Sequence, residues 1–173
     1  MPNKRSKRSI PNSIIHKRWE ELARLENISP KARDYRSHRI DFICLQLVTE
    51  FSRIFGKDAK NLGGWQKICT TVLGDENRVK ELDNIKKCKE ALKHKFVNIF
   101  DLVDAGIEER SVPAGLVFRK RETLTEYILD TGKVFLKPYA KSNRLLEHFL
   151  IVLVVRERKP KQKPETRVNS VDR

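Results

Sequence analysis

Cysteine is scarce: only Cys44, Cys69 and Cys88 occur among 173 residues, an odd number set among apolar neighbours, where small buried thiols are common. That excludes a disulfide-stapled secreted scaffold, and with no secretory h-region the expected setting is a reducing compartment. Glycine and proline are few as well, at seven each, so a collagen-like or Gly/Ser-linked chain is excluded. No apolar run approaches the ~20 residues a membrane helix needs. The longest candidate, residues 149–155, is too short, and no membrane is expected among the partners.

Signatures of chemistry are missing too. Cys44, Cys69, Cys88, His94 and His148 fall into neither C-x₂₋₄-C nor H-x₃₋₅-H spacing, so no metal is expected. Gly132-Lys133 is followed by Val134 rather than Ser or Thr, and Tyr127 stands where a Walker glycine belongs. The Gly63-Gly64 pair has no strand before it, as a dinucleotide fingerprint requires. With no G-x-S-x-G elbow and no H-E-x-x-H either, we expect no catalytic residue, no cofactor and no small-molecule ligand.

What the sequence has in excess is positive charge: 37 Lys+Arg against 23 Asp+Glu, a formal net charge of +14. Residues 1–11 hold Lys4, Arg5, Lys7 and Arg8 and no acid, while residues 156–173 hold seven basic residues against three acidic ones. Each end contributes +4, which leaves +6 for residues 12–155. Neither end has apolar periodicity, and both are expected to be disordered tails. Between them a single domain is expected at residues 12–155: no internal repeat divides it, and 39% hydrophobic residues in a chain of this length suffice for a mid-sized core.

Within that domain Ile40, Ile43, Cys44, Leu47, Val48, Phe51, Ile54 and Phe55 recur at i, i+3, i+4, i+7, the mark of a one-sided helix, and Gly56 fits its C-terminal stop. A shorter helix through Ile15, Trp19, Leu22 and Leu25 ends at Asn27, and Ser29-Pro30 fits the start of the next. Leu62 to Leu73 predicts a third, closed by Gly74. A fourth carries Ile85, Cys88, Leu92 and Phe96 on its apolar side, with Asp83 or Asn84 as cap. Asn98 with Asp101 resembles a capping arrangement for a fifth helix running to Gly106. Thr123 with Glu126 reads as a capping box for a sixth, ended by Gly132, and Pro138 fits a first helical position before the last amphipathic stretch. Ile151, Val152, Val154 and Val155 would also suit a buried strand; we read them as helix. Leu116-Val117-Phe118 can be extended but has no evident partner strand.

Two basic clusters point to a polyanionic partner. Lys86, Lys87, Lys89, Lys93 and Lys95 decorate the polar side of the fourth helix, and Arg119-Lys120-Arg121 precedes the capping box. Several phosphate contacts from such groups give salt-sensitive, sequence-independent affinity for DNA or RNA, although a Lys-rich face also simply keeps an amphipathic helix solvated. Lys4, Arg5, Lys7 and Arg8, and Arg158, Lys159, Lys161 and Lys163, resemble short basic nuclear import signals. The expected location is the nucleus, with the cytoplasm as a second site and the mitochondrial matrix as the weaker rival.

Gly64-Trp65-Gln66 with Cys69, the run Ile85-Lys86-Lys87-Cys88-Lys89 leading into Val97-Asn98-Ile99-Phe100-Asp101-Leu102-Val103-Asp104, and Thr131-Gly132-Lys133-Val134-Phe135 with Ala140-Lys141 resemble a group of small uncharacterised fungal (ascomycete) proteins over about residues 40–153. That group has no assigned activity, so the resemblance implies a fungal, intracellular helical module and no catalytic or binding residue. By themselves, Gln66, Asn98, Asp101 and Asp104 read as caps and helix-end hydrogen bonds rather than a reaction centre. The expectation is an all-α, single compact bundle of six or seven short helices with basic tails. The expected role is that of a nuclear binding module meeting nucleic acid or chromatin through its Lys/Arg faces. The alternative is a protein–protein adaptor with an apolar groove lined by Trp19 or Phe149, its tails serving import only.

Overall fold

The i, i+3, i+4, i+7 row of apolar residues is long enough to make one helix the axis of the molecule. In the computed structural model, which describes residues 13–153 apart from the side chains of residues 78 and 151–153, that helix is α2 (Tyr35–Phe55). The turn of residues 29–34 separates it from α1 (Ile14–Leu25), so α2 begins after Asp34 rather than at Ser29-Pro30. α3 (Leu62–Leu73) ends where Gly74 takes a left-handed φ of 70°, as its position predicts. Past it lies α4 (Glu76–Lys80), five residues long, with Val79 buried; so short a segment leaves no periodic trace in the sequence.

α5 covers only Ile85–Ala91, capped by Asn84, whose side chain accepts from the amide of Lys87. The apolar spacing that runs on to Phe96 overstates it. His94, at a φ of 60°, breaks the helix, and Phe96 leaves it to form an isolated antiparallel bridge with Phe118. The Leu116–Phe118 triplet thus does have a partner, supplied by the residue that looked helical. α6 (Ile99–Ile107) follows directly, passing through Gly106 by one residue. A 3₁₀ turn at Ala114–Leu116, α7 (Arg121–Thr131), a second 3₁₀ turn at Lys137–Ser142 with Pro138 at its start, and α8 (Arg144–Leu153) complete the order. The described part of the 149–155 stretch is therefore helix. Both basic ends, with the import residues Lys4, Arg5, Lys7, Arg8, Arg158, Lys159, Lys161 and Lys163, lie outside the described residues.

Eight α-helices and no strand make up the described residues, an all-α bundle. α2 packs against α1, α3, α6 and the second 3₁₀ turn, while α3 holds α4 and α5. Trp65, Phe51, Phe100, Phe149 and Leu47 are fully enclosed, and burying side chains of this size contributes roughly 1.5–3 kcal/mol each. The Trp65 indole N–H keeps a partner in the Ala59 carbonyl at 2.9 Å. Asn143, wholly buried, ties the start of α8 to the end of α2: its amide donates to Ser52 Oγ (2.9 Å) and to the Gly56 carbonyl (3.0 Å), and its oxygen accepts from the amide of Leu146 (2.8 Å).

The same junction explains Gly64. A Cβ there would sit 2.5 Å from the Phe55 carbonyl oxygen and 2.9 Å from Leu145 Cδ2, so α3 can approach α2 and α8 only through hydrogen. Gly64→Ala is expected to cost at least ~2 kcal/mol, because a backbone oxygen cannot swing aside. Gly115, with open space around it, should accept alanine within ~0.5 kcal/mol. Denaturant unfolding of both variants checks this: equal midpoints would show that the α2–α3 contact is looser than described.

Candidate nucleic-acid interface

The bridge at Phe96 has a consequence for charge. Its two residues exchange both amide bonds, Phe96 N–H to the Phe118 carbonyl and Phe118 N–H to the Phe96 carbonyl, each at 2.8 Å. That antiparallel register sets Lys95 across from Arg119. Basic segments that lie more than twenty residues apart in sequence are thereby brought to one edge: Lys93 and Lys95 on one side, Arg119-Lys120-Arg121 on the other. The Arg121 guanidinium lies over the Phe96 ring, 5.4 Å from its centre, which fixes the start of α7 against the bridge. Lys93, Arg119, Lys120 and Arg121 are exposed and Lys95 is half-buried. Like charges directly opposite one another are destabilising, and among the described residues no carboxylate lies within ion-pair distance of Lys95, Arg119 or Lys120. Only Lys93 is paired, to Glu90 at 3.1 Å, with both side chains well exposed.

The remaining predicted cations divide by what they touch. Lys86 and Lys87 stand exposed on α5, and Lys87 is joined to Asp83 at 2.8 Å. Exposed pairs of this kind are worth well under ~1 kcal/mol and exchange readily for a phosphate. Lys89 is different: half-buried, it holds its ammonium 5.0 Å from the centre of the Trp65 ring and covers the core. Lys93 and Lys95 are not on α5 at all but in the turn beyond it. Trp19 and Phe149, expected to line a groove, are 2% and 1% exposed and belong to the core.

The capping box is absent. α7 starts two residues before Thr123, with Lys120 in the N-cap position and no side chain accepting from its first turn. Asn98 does cap α6, accepting from the amide of Phe100 at 2.8 Å, and its amide group also donates to the Lys133 carbonyl at 3.0 Å. Asp101 and Asp104 do something the sequence did not disclose. Lys133, 6% exposed, reaches with its ammonium Asp101 Oδ1 at 2.5 Å and the Tyr127 hydroxyl at 2.9 Å. Burial acts to depress the Lys133 pKa, but the bonds to Asp101 and Tyr127 outweigh it and hold the ammonium above its ordinary range. Asp104 serves as cap to a different helix: Oδ1 accepts from Ser13 Oγ (3.3 Å) and from the amide of Ile14 (3.2 Å), at the start of α1, which has no cap of its own.

Beside these carboxylates the buried His16 ring lies flat on Phe100, 4.9 Å between centres. Among the described residues, His16 Nδ1 and Asp101 Oδ2 have no hydrogen-bond partner. Burial, with Arg39 and Lys133 nearby, lowers the His16 pKa to about 4 and keeps the ring neutral. Burial raises Asp104 to about 6, against the opposing pull of Ser13, Ile14 and Lys133. Burial also lifts the thiols of Cys44, Cys69 and Cys88 above the usual range, so they stay protonated and pack as small hydrophobes.

Elsewhere a cleft of about 520 Å³ between the C-terminal ends of α3 and α6 mixes Lys67, Glu76, Glu109 and Arg110 with Ser111, so its charges do not converge on one sign. Among the described residues no three His, Cys, Asp or Glu side chains gather to hold a metal, and no helix is long and apolar enough to cross a membrane. No family model matches the chain, and no curated protein or solved structure is significantly similar to it.

The two perturbed groups bear on stability in opposite senses. Between about pH 4 and 6 the folded protein keeps a proton on Asp104 that the unfolded chain has released, so this group lowers stability as pH rises. Between about pH 4 and 6.5 the unfolded chain protonates His16 while the folded protein does not, so this group raises stability as pH rises. Each amounts to about 3 kcal/mol, and they offset. Relative to the parent protein, Asp104→Asn should therefore gain about 3 kcal/mol as pH goes from 4 to 6.5, and His16→Phe should lose a similar amount. Urea unfolding across that range decides it; three parallel profiles would show that neither group titrates as described.

Proposed function

We propose that the protein is a nucleic-acid-binding module whose contact surface is the edge built around the Phe96–Phe118 bridge. The observation that carries the reading is the register of that bridge, which opposes Lys95 to Arg119 with no carboxylate within ion-pair distance of either among the described residues. Holding two cations across one bridge costs folding energy that a string of phosphates would return. Lys93, Lys120 and Arg121 extend the edge on both sides, and Lys86 and Lys87 add exposed charge on α5. Lys89, engaged with Trp65, is left out of the contact set.

No side chain on this edge is poised as a reader of base edges: Lys95, Arg119 and Lys120 have no carboxylate partner among the described residues to aim them, Lys93 is turned to Glu90 and Arg121 lies on the Phe96 ring. The reading is therefore of backbone recognition, tolerant of sequence. The nucleus is the compartment that fits it, with the basic ends, Lys4 to Arg8 and Arg158 to Lys163, as import signals or as further phosphate contacts.

Fluorescence anisotropy of labelled duplex DNA and of single-stranded RNA, titrated with the full chain at 50–200 mM salt, tests the proposal. Four or five phosphate contacts predict a log–log salt slope of about −3.6 to −4.5 on duplex DNA. Lys95→Glu should weaken binding about tenfold or more, yet raise folding stability by about 0.2–1 kcal/mol, because it turns a like-charge pair into an opposite-charge pair. A merely solvated Lys/Arg surface would leave binding unmoved by that substitution. Undetectable binding to both probes at 50 mM salt would sink the proposal and leave the protein–protein adaptor reading in its place.

A further inference from the structure

The first turn of α7 stands in the middle of that edge, and one of its hydroxyls is idle. Of the three threonines in α7, Thr125 donates to the Arg121 carbonyl (2.9 Å) and Thr131 to the Tyr127 carbonyl (2.7 Å). The Thr123 hydroxyl has no hydrogen-bond partner among the described residues, and the side chain is exposed. It is not spent as a cap, because the helix begins two residues earlier. Arg119, Lys120 and Arg121 stand four, three and two positions before it, Glu122 is the one acid between them and the threonine, and Leu124 follows.

From this juxtaposition we propose that Thr123 is a phosphoacceptor for a basophilic Ser/Thr protein kinase, and that its phosphorylation switches off nucleic-acid binding by the edge around the Phe96–Phe118 bridge. The inference rests on the proposed function for its readout, and on its own residues for the site. Basic side chains two to four positions before the hydroxyl suit an enzyme with an acidic substrate groove. Opening of the turn is cheap. Its first amides have no capping side chain to lose, and the extended backbone at Lys120 already leads into it. Beyond Thr123 the helix is anchored by the buried Leu124, by the contact of Tyr127 with Phe118 and by the bond from Lys133 to Tyr127, so the opening need not spread.

In the transfer, Thr123 Oγ forms a bond to the γ-phosphorus of ATP and the β–γ bridging P–O bond breaks. ADP leaves with the bonding electrons, and the hydroxyl proton passes to the kinase base. The product carries a charge of −1.5 to −2 at neutral pH. It would sit among Arg119, Lys120, Arg121 and, across the bridge, Lys95, and supply at the uncapped start of α7 the acceptors that no side chain provides. Two of the cations needed by a nucleic-acid phosphate would then already be engaged.

The full-length protein is treated with a purified basophilic Ser/Thr kinase and ATP, the phosphate is located by mass spectrometry of peptides, and duplex DNA and single-stranded RNA binding are compared before and after. Thr123→Ala, treated identically, is the control. The expected result is phosphate on Thr123, affinity reduced about tenfold or more, and a salt slope shallower by nearly two; the control retains full binding. Phosphate absent from Thr123, or present with affinity unchanged, overturns the switch while the nucleic-acid reading stands. If the unmodified protein binds neither probe, the nucleic-acid reading falls and the switch with it.

Discussion

A helix with no solvent-facing side has nowhere to put a charge, and α6 carries two carboxylates. Every residue from Ile99 to Ala105 is buried, because α1, α2 and α3 all pack on this one helix. Desolvating a carboxylate without partners is prohibitive, so Asp101 and Asp104 dictate what their surroundings must supply. Asp101 draws the ammonium of Lys133 into the interior, and with it Tyr127, which locks the C-terminal half of α7. Asp104 takes the unsatisfied amide at the start of α1. Asn98 completes the set by capping α6 and holding the Lys133 carbonyl. The polar residues at positions 98, 101 and 104, three apart and therefore neighbours on the helix, thus connect α6 to the chain well before it and well after it.

Local rules made much of the bundle legible in advance. Strong apolar periodicity located α1, α2, α3 and α8, and glycine with positive φ ended α3 and α7 where expected, because both signals are decided within a few residues. Asn98 was read correctly as a cap for the same reason. The errors cluster where a distant residue wins. Phe96 continues the helical spacing of Ile85, Cys88 and Leu92, yet its amide and carbonyl are claimed by Phe118, which no window of sequence contains. Asp101 and Asp104 occupy positions that suit a helix-end role, and nothing local shows that their helix is enclosed. Thr123 and Glu126 have the spacing of a capping box, but the bridge and the Arg121–Phe96 contact set the start of α7 instead.

The candidate interface follows the same division. Its residue types were visible as two separate runs of Lys and Arg; that they form one edge was not, since their meeting depends on a single pair of hydrogen bonds between residues 96 and 118. The structure also sorts the run on α5, giving Lys89 to the Trp65 ring and leaving Lys86 and Lys87 in solvent. A count of basic residues weighs these equally, while burial and ring contact do not.

The bridge is held by the core rather than by its own chemistry. Phe96 is 7% exposed and leads straight into the enclosed α6, so its position is fixed by packing whatever charge flanks it. Buried aromatic rings contribute several times what a like-charge pair in solvent costs, which allows Lys95 and Arg119 to be kept opposed in the absence of any anion. An edge of this kind is preorganised: the repulsion is met once, on folding, and a polyanion of the kind proposed would relieve it. The same reasoning explains why the uncapped start of α7 can persist beside it, since Leu124, Tyr127 and the Lys133 ammonium hold the rest of that helix without help from its first turn.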